Sequence, residues 1–116
     1  MIKQGAIAWL DLQPQAGNEP CKRRPVVVVS NHDYHNLVKN RMAMVCPIAN
    51  QNKGFVMNIA LDNTTKTQGF ILTADAKVLD LQARNYEYIE DLPESILIDV
   101  LDLVGGICKY QPQEEN

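Results

Sequence analysis

The sequence predicts one mainly β domain that ends in an α-helix. The first 90 residues contain short segments in which apolar residues either alternate with polar residues or follow one another without interruption. Both patterns are typical of β-strands. After Pro93 the apolar spacing changes to that of a helix. With 116 residues, of which 46% are hydrophobic, the chain is long enough for one core and too short for two. We therefore expect one domain over residues 1–110 and a polar, disordered tail over residues 111–116.

The first half of the chain predicts three strands and one short helix. Residues 6–12 form a mainly apolar strand. Residues 25–30 are continuously apolar and rich in valine, which is typical of a strand buried on both faces. Asn31 is a candidate N-cap for a short helix or turn over residues 31–38, and residues 42–48 predict the third strand.

The second half predicts three more strand segments. Residues 55–61 place apolar side chains at alternate positions, which indicates a strand with one apolar face. Residues 69–75 and 86–90 supply two further strands, separated by a turn or tight helical segment near residues 79–83. The sheet is thus expected to have about five to seven strands.

The final helix is predicted from one apolar stripe. Pro93 suits its first turn, and Gly105 and Gly106 are expected to weaken or end it. The residues that share the stripe are Ile96, Leu97, Val100, Leu101 and Val104. Ile98 and Leu103 fall outside it, which fits either a wide core stripe or a second buried surface such as a subunit contact.

The charge and composition narrow the functional classes. A net charge of −3 argues against a protein that grips nucleic acid through its overall charge, so a polyanion would have to be held locally. The chain has no apolar run long enough to span a membrane and no apolar core of a signal peptide, so we expect a cytoplasmic protein.

The cysteines and histidines indicate neither a disulfide framework nor a metal site. Cys21, Cys46 and Cys108 are odd in number, widely spaced and without a CxxC pair. His32 and His35 lack a third placed ligand, and we interpret them as part of a surface turn. No cofactor and no metal are expected.

A charged loop precedes the second strand. Residues 17–25 bring Glu19, Arg23 and Arg24 to the entrance of the valine-rich strand. Arginine offers a planar fork of donors that matches phosphate oxygens, and Pro25 fixes the backbone just after Arg24. The loop therefore predicts a phosphate site, with an ordinary solvated loop as the alternative.

Several motifs follow one another in a definite order. Residues 5–19 and 24–30 read Gly-x-Ile-x-Trp-x-Asp-Leu-x-Pro-x-x-Gly-x-Glu and Arg-Pro-Val-Val-Val-Val-Ser. Residues 46–55 read Cys-Pro-Ile-Ala-Asn-Gln-Asn-Lys-Gly-Phe, and residues 69–72 and 92–93 read Gly-Phe-Ile-Leu and Leu-Pro. In this order they resemble the MazF/PemK family, the toxin half of bacterial toxin–antitoxin pairs.

The resemblance implies a small SH3-like β-barrel with a carboxyl-terminal helix. It also implies a homodimer that cuts single-stranded RNA at short sequences without a metal, and a cognate antitoxin as partner. The antitoxin would be an acidic, partly disordered segment that covers a basic groove, with Lys22, Arg23 and Arg24 as natural contacts.

The resemblance also assigns site residues. In metal-free RNA cleavage the 2′-hydroxyl attacks the neighbouring phosphate, which requires a base, a cation and a proton source. Arg24 matches the catalytic arginine of the family, and Glu19 matches its loop acid, the candidate general base. The expected RNA-binding residues are Asn18, Arg23, Gln51, Lys53, Lys77 and Arg84.

The chain departs from the family pattern at two places. Ala49 stands where the family usually carries a catalytic threonine, so one hydrogen-bond donor to phosphate is missing. The Asp-Gln pair of some members reads Ala74-Asp75, which shifts the carboxylate by one residue, and on a strand that shift would point it to the other face. These departures leave three alternatives open: a slow ribonuclease, a ribonuclease with reassigned residue roles, or a protein that binds RNA without cutting it.

A non-enzymatic alternative comes from the same fold. CcdB-type toxins share this barrel and bind DNA gyrase through their carboxyl-terminal end. On that interpretation the segment over residues 105–110 would bind a protein target, and Glu19 and Arg24 would form an ordinary loop ion pair.

Overall fold

A computed structural model describes residues 2–12, 22–52, 54 and 56–114. In these ranges the chain forms an antiparallel sheet with an α-helix packed against one face. The strands are β1 (Ala6–Leu12), β2 (Lys22–Val28), β3 (Met42–Ala49), β4 (Asn58–Ala60), β5 (Phe70–Leu72), β6 (Lys77–Asp80) and β7 (Glu87–Asp91). The helices are α1 (His32–Leu37) and α2 (Glu94–Ile107), and Thr73–Asp75 form one 3-10 turn. Neither described helix has the length and apolar character needed to cross a membrane.

The strand order confirms the predicted fold class. The strands run in the order β4-β5-β3-β2-β1-β7, and β6 pairs with β3 beside this path. Every described pairing is antiparallel. β4 and β7 lie at opposite ends of the order and do not pair with each other, so the described strands form an open sheet.

The central strand, β3, changes partner along its length. Its residues 42–45 pair with β6, and its residues 48–49 pair with β5. Pro47, which has no N–H to donate, falls between these two pairings. The proline thus occupies the part of β3 where a missing donor disturbs neither ladder.

The core has two clusters, one on each face of the sheet. One contains Ile7, Val27, Cys46, Ile48, Ile71 and Val100, and the predicted stripe of α2 packs against it. The other contains Leu10, Val26, Val28, Val45 and Leu81. Because residues 26–28 are fully buried, the prediction of a strand covered on both faces is confirmed.

Several predicted boundaries were wrong. β2 runs over Lys22–Val28 rather than residues 25–30, and the strand expected over residues 55–61 is described only as Asn58–Ala60. The preceding Met57 has φ +58°, which a strand cannot accommodate. The strand expected over residues 69–75 ends at Leu72.

Two further elements differ from expectation at their ends or in kind. β6 was not predicted, because its four residues, Lys-Val-Leu-Asp, are too few to show a strand period. The turn or tight helical segment expected near residues 79–83 begins only after Asp80, where β6 ends. α2 continues through Gly105 and Gly106 and ends at Ile107.

Helix α1 is capped as predicted, but its histidine is not on the surface. Asn31 accepts a hydrogen bond from the backbone N–H of Tyr34 at 3.0 Å. His35 is only 2% exposed, and its Nε2 lies 2.7 Å from the hydroxyl of Ser30, which in turn accepts from the N–H of Met44. The surface-turn interpretation is therefore wrong for His35, which serves as a buried link between α1 and β3. Burial lowers the pKa of this imidazole.

Candidate functional site

Two neighbouring arginines at the start of β2 have different surroundings. Arg23 donates to the carboxylate of Asp11 at 2.9 Å and to that of Glu87 at 2.9 Å. The guanidinium of Arg24 forms no hydrogen bond or ion pair with any part of the chain that the structure describes. Successive residues of a strand face opposite sides, so the ion pairs that hold Arg23 leave Arg24 available to an anion.

Arg24 lies between two grooves. The larger groove, of about 730 Å³, is lined by Trp9, Lys22, Arg23, Arg24, Pro25, Asn50, Lys66, Thr67, Gln68 and Ile89. The smaller groove, of about 460 Å³, is lined by Leu12, Arg24, Pro47, Ile48, Ala49, Asn50, Gln51, Leu72 and Lys77. Arg24 and Asn50 belong to both linings and thus form the boundary between the grooves.

The larger groove has an apolar floor made by three strands. Trp9 of β1 lies opposite Pro25 of β2, and its side chain is 38% exposed. The β1–β7 register shifts between Ile7 and Ala8, which leaves Ile89 of β7 without a partner in β1. Such a bulge re-aims a side chain, and Ile89 joins Trp9 in the groove.

One wall of the larger groove is a loop tied to β7 by Glu90. The carboxylate of Glu90 accepts from the backbone N–H groups of Lys66 and Thr67 at 3.1 and 2.8 Å and from the hydroxyl of Thr67 at 2.8 Å. Partial burial opposes ionisation of Glu90, but these hydrogen bonds outweigh it and lower the pKa. Glu90 therefore holds in place the three loop residues that line the groove.

The larger groove is locally basic although the chain is acidic overall. Four of its described lining residues are cationic, and its described lining contains no aspartate or glutamate. Arg23 is already paired, whereas Lys22, Arg24 and Lys66 form no ion pair within the described ranges. The groove therefore offers an attractive local field to an anionic ligand.

The smaller groove contains the position of the missing threonine. Ala49, at the end of β3, lines it together with Gln51 and Lys77. Gly69, one residue before the pairing partner of Ala49, has φ +128°, and a Cβ there would overlap the carbonyl oxygen of Ala49. A glycine is therefore required at this point, where two backbones approach closely beside the groove.

The structure brings three of the predicted site residues together. Arg24, Gln51 and Lys77 all line the smaller groove. Arg84 lies in the turn over residues 81–85, donates to the carbonyl of Asp11 at 3.2 Å and lines neither groove. Glu19, Asn18 and Lys53 lie outside the described residues, as does Cys21.

Sequence reasoning missed several residues of the grooves, including Trp9, Asn50 and Lys66. Trp9 looked like any core residue of an apolar strand, and Lys66 lies in a polar loop without a recognisable motif. Asn50 adjoins Ala49 directly, so its place next to the missing threonine was the available signal.

The carboxylate shift at Ala74-Asp75 has a different geometry from the one expected. These residues belong to the 3-10 turn after β5, so the argument from strand alternation does not apply. Both are exposed, and neither lines a groove. Burial, with a smaller effect of the Asp75 charge, raises the pKa of the Cys46 thiol to about 12. No three metal-ligating side chains gather anywhere in the described ranges.

Comparison with known proteins gives consistent similarities. A family model described as a PemK-like, MazF-like toxin of type II toxin–antitoxin systems matches residues 3–106. The Escherichia coli protein named endoribonuclease PemK is 27% identical over 112 residues, covering 91% of this chain and 81% of its own length. The endoribonuclease toxin MazF of Escherichia coli K12 is 31% identical over 80 residues, covering 69% of each chain.

Solved structures agree with these sequence similarities. A crystal structure of MazE-MazF from Deinococcus radiodurans superimposes with a TM-score of 0.79 at 27% identity, covering 91% of this chain and 94% of that one. A mycobacterial endoribonuclease in complex with its cognate antitoxin gives a TM-score of 0.70 at 12% identity, covering 96% and 97%, which supports the fold alone.

Proposed function

This chain belongs to the family of PemK-like, MazF-like toxins of type II toxin–antitoxin systems, and we propose that it is an endoribonuclease that cuts single-stranded RNA at short sequences without a metal ion. Relatives named endoribonucleases support the reaction class. The observation that carries the proposal is the unpaired guanidinium of Arg24 between two grooves. A cation in that position can meet a phosphate while the nucleotides on either side extend into separate spaces.

In the proposed reaction the RNA supplies its own nucleophile. The 2′-oxygen forms a bond to the adjacent phosphorus, and the bond from phosphorus to the 5′-oxygen breaks, giving a cyclic phosphate and a 5′-hydroxyl. Arg24 stabilises the negative charge that builds up on the phosphate oxygens. Glu19 is the proposed base for the 2′-hydroxyl proton, and the leaving 5′-oxygen takes up a proton from water.

Other groups of the smaller groove offer donors where the family threonine is absent. Asn50, Gln51 and Lys77 can each donate to a phosphate oxygen near Ala49. We assign Gln51 and Lys77 to RNA binding on this basis. Arg23, Arg84, Asn18 and Lys53 keep RNA-binding roles as predictions from the resemblance.

A second candidate is a protein that binds RNA without cutting it. The methyl group of Ala49 in the lining of the smaller groove favours this candidate. Loss of one preorganised donor typically lowers a rate about 10²–10³-fold. A loss of this size leaves a slow enzyme if the other catalytic groups are effective, and a protein that only binds RNA if they are not.

The proposed partners follow from the family. A MazE-MazF structure is among the solved structures that resemble this chain, and we expect an acidic antitoxin segment to cover the basic grooves. We further propose a homodimer, since Ile98 and Ile107 of α2 are 50% and 52% exposed. Because its proposed substrate is single-stranded RNA, we expect the protein to act in the cytoplasm.

Cleavage of a long, unstructured RNA in EDTA tests the proposal. We expect discrete cuts with cyclic phosphate ends, reduced at least 100-fold in Arg24→Ala. Arg41→Ala is the matched control, because Arg41 pairs with Asp80 and lines neither groove. Equal cutting by wild type and Arg24→Ala would overturn the site.

The remaining outcomes separate the alternatives. RNA binding without cutting would make the protein a binder that lacks the catalytic donor. Neither binding nor cutting would point to a protein target such as gyrase and to residues 105–110 as the surface to test next.

A further inference from the structure

We propose that Trp9 is a base-stacking platform: a nucleotide next to the phosphate held by Arg24 lays its base on the indole ring in the larger groove. This inference rests on the proposed function and assigns the larger groove to one side of the bound RNA strand. It makes Trp9 a residue that binds and positions substrate rather than part of the core.

The environment of Trp9 differs from that of its strand neighbours. Ala8 and Leu10 are fully buried, whereas Trp9 is 38% exposed. Trp9 lies on the same face of β1 as Ile7, which packs in the cluster covered by α2. At Trp9 this cover has ended, because α2 contributes no residue to the lining of the larger groove.

The indole ring also has unused hydrogen-bonding capacity. Its N–H donates to no acceptor within the described ranges, so it is available to a ligand in the groove. Pro25 lies opposite in the pairing, and Ile89 is aimed into the same space by the bulge. Together they form an apolar floor on which a planar ring can rest.

The charge around this floor matches a nucleotide. Arg24, Lys22 and Lys66 are cationic, unpaired within the described ranges and part of the groove lining, which contains no described carboxylate. A nucleotide combines a flat base with a phosphate, and proteins bind single strands by combining aromatic platforms with a basic track.

Polar groups at the rim suit the edge of a base. Asn50 makes no side-chain hydrogen bond within the described ranges, so both its donor and its acceptor are available. The amide nitrogen of Gln68 donates to the carbonyls of Asp62 and Thr65 at 3.1 and 2.9 Å, which leaves its oxygen as an acceptor. An acidic peptide would satisfy the cations but would not need these groups beside an open ring.

The chain has one tryptophan, so its fluorescence reports on this site alone. The probe is a short, mixed-sequence, single-stranded DNA oligonucleotide, which lacks the 2′-hydroxyl and cannot be cut. We expect its binding to quench the tryptophan fluorescence. Anisotropy of a labelled oligonucleotide should show affinity reduced about 10-fold or more in Trp9→Leu and by less in Trp9→Phe.

Two comparisons guard this test against misfolding. Trp9→Leu keeps apolar bulk without an aromatic face, and Trp9→Phe keeps a smaller ring, so a stacking role predicts rescue by phenylalanine. If Trp9→Leu does not fold, the ratio between wild type and Trp9→Phe carries the test, and equal affinity of those two would overturn the platform. Tyr110→Ala should leave affinity unchanged, because Tyr110 is 83% exposed and lies outside both grooves.

The failures are distinguishable. RNA cutting by wild type with no fluorescence change and unchanged affinity in Trp9→Leu would overturn the platform and leave the endoribonuclease standing. Quenching without RNA cutting would uphold the platform and overturn the proposed reaction. Quenching by polyglutamate and not by the oligonucleotide would make the groove a peptide site and would overturn the inference.

Discussion

The unpaired guanidinium of Arg24 is notable because the chain has 14 acidic residues against 11 lysines and arginines. Its neighbour Arg23 binds two carboxylates, and Arg41 binds Asp80 at 2.6 Å. Exposed ion pairs of this kind contribute little to stability, because solvent and salt screen them. What they contribute here is position, since they use up nearby acids that would otherwise compete with a phosphate for Arg24.

Restoring a hydroxyl at residue 49 should speed RNA cleavage. Ala49→Thr adds a donor in the smaller groove beside Arg24, and a donor of this kind is typically worth about 10²–10³ in rate. We expect faster single-turnover cleavage than in wild type. Ala49→Val is the matched control, because it has the same branched shape without the hydroxyl. Equal rates in both variants would show that other donors have taken over this role.

The thiol of Cys46 should be inert in the folded protein. Burial, helped by Asp75, raises its pKa to about 12, so the reactive thiolate is scarce near neutral pH. In a variant with Cys21→Ser and Cys108→Ser we expect a thiol reagent at pH 8 to react only after denaturant is added. A variant that retains the exposed Cys108 should react at once. Fast labelling of Cys46 without denaturant would contradict its placement in the core.

At the scale of elements, Glu90 couples strand β7 to the loop over residues 62–69. Glu90→Gln should lower stability by about 1–3 kcal/mol, because hydrogen bonds to a charged acceptor are replaced by weaker ones. The folded-state pKa lies below the ordinary 4.5, so the carboxylate stabilises the fold above that pH and loses this effect as the pH falls through the folded-state value.

Thermal unfolding between pH 3 and pH 7 measures this contribution. Wild type should lose stability towards acid more steeply than Glu90→Gln, and the two curves should approach each other at low pH. Oligonucleotide affinity should fall in the variant although Arg24 is untouched, since the loop lines the larger groove. Parallel stability curves would mean that Glu90 does not hold the loop.

The end of α2 should accept a better helix former. Gly106 is helical with open space around its Cα, so Gly106→Ala should stabilise the protein by about 0.5–1 kcal/mol. Chemical denaturation measures the change. Gly69→Ala is the contrasting variant and should destabilise the fold, because its Cβ would overlap the carbonyl of Ala49.

Elements with a long or continuous apolar signal were predictable from sequence, and short polar ones were not. β1 and the stripe of α2 were found because burial of several residues sets their period. β6 was missed because pairing with β3, rather than its own four residues, makes it a strand. The predicted start of β4 at residue 55 was wrong because Met57 adopts a left-handed backbone conformation, which a methionine side chain does not indicate.

The candidate site was predictable only in part for a related reason. A motif identified Arg24, Gln51 and Lys77 as site residues, and the structure gathers them around one groove. Ile89 and Lys66 enter the site through a β-bulge and a tethered loop, which depend on contacts across more than 20 residues of sequence, such as Thr67 to Glu90. Local sequence patterns do not carry that information.

Over the whole molecule, a net charge of −3 coexists with a basic strip. Lys22, Arg24 and Lys66 in one groove and Lys77 in the other make no ion pairs within the described ranges. Local rather than global charge should therefore govern association with RNA, and that association should weaken as salt increases.

The salt dependence of oligonucleotide affinity should report how many phosphates these cations neutralise. With three or four phosphates neutralised, log affinity should fall against log salt with a slope of about −2 to −3. Lys66→Ala should make the slope shallower by about 0.7, whereas Lys109→Ala, at an exposed position after α2, should leave it unchanged. A slope near zero would argue against phosphate binding in these grooves.

Successive side chains of strand β2 point to opposite faces, so the register of β2 decides which of the two arginines lies between the grooves. If the register of β2 against β1 shifted by one residue, Arg24 would lie opposite Asp11. Arg23 would then lie between the grooves and would lose its ion pairs with Asp11 and Glu87. The ion pairs of Arg23 with Asp11 and Glu87 therefore help to fix the register of β2 against β1. A change of length in the connection before β2 should therefore leave the site intact as long as Arg23 still lies opposite Asp11.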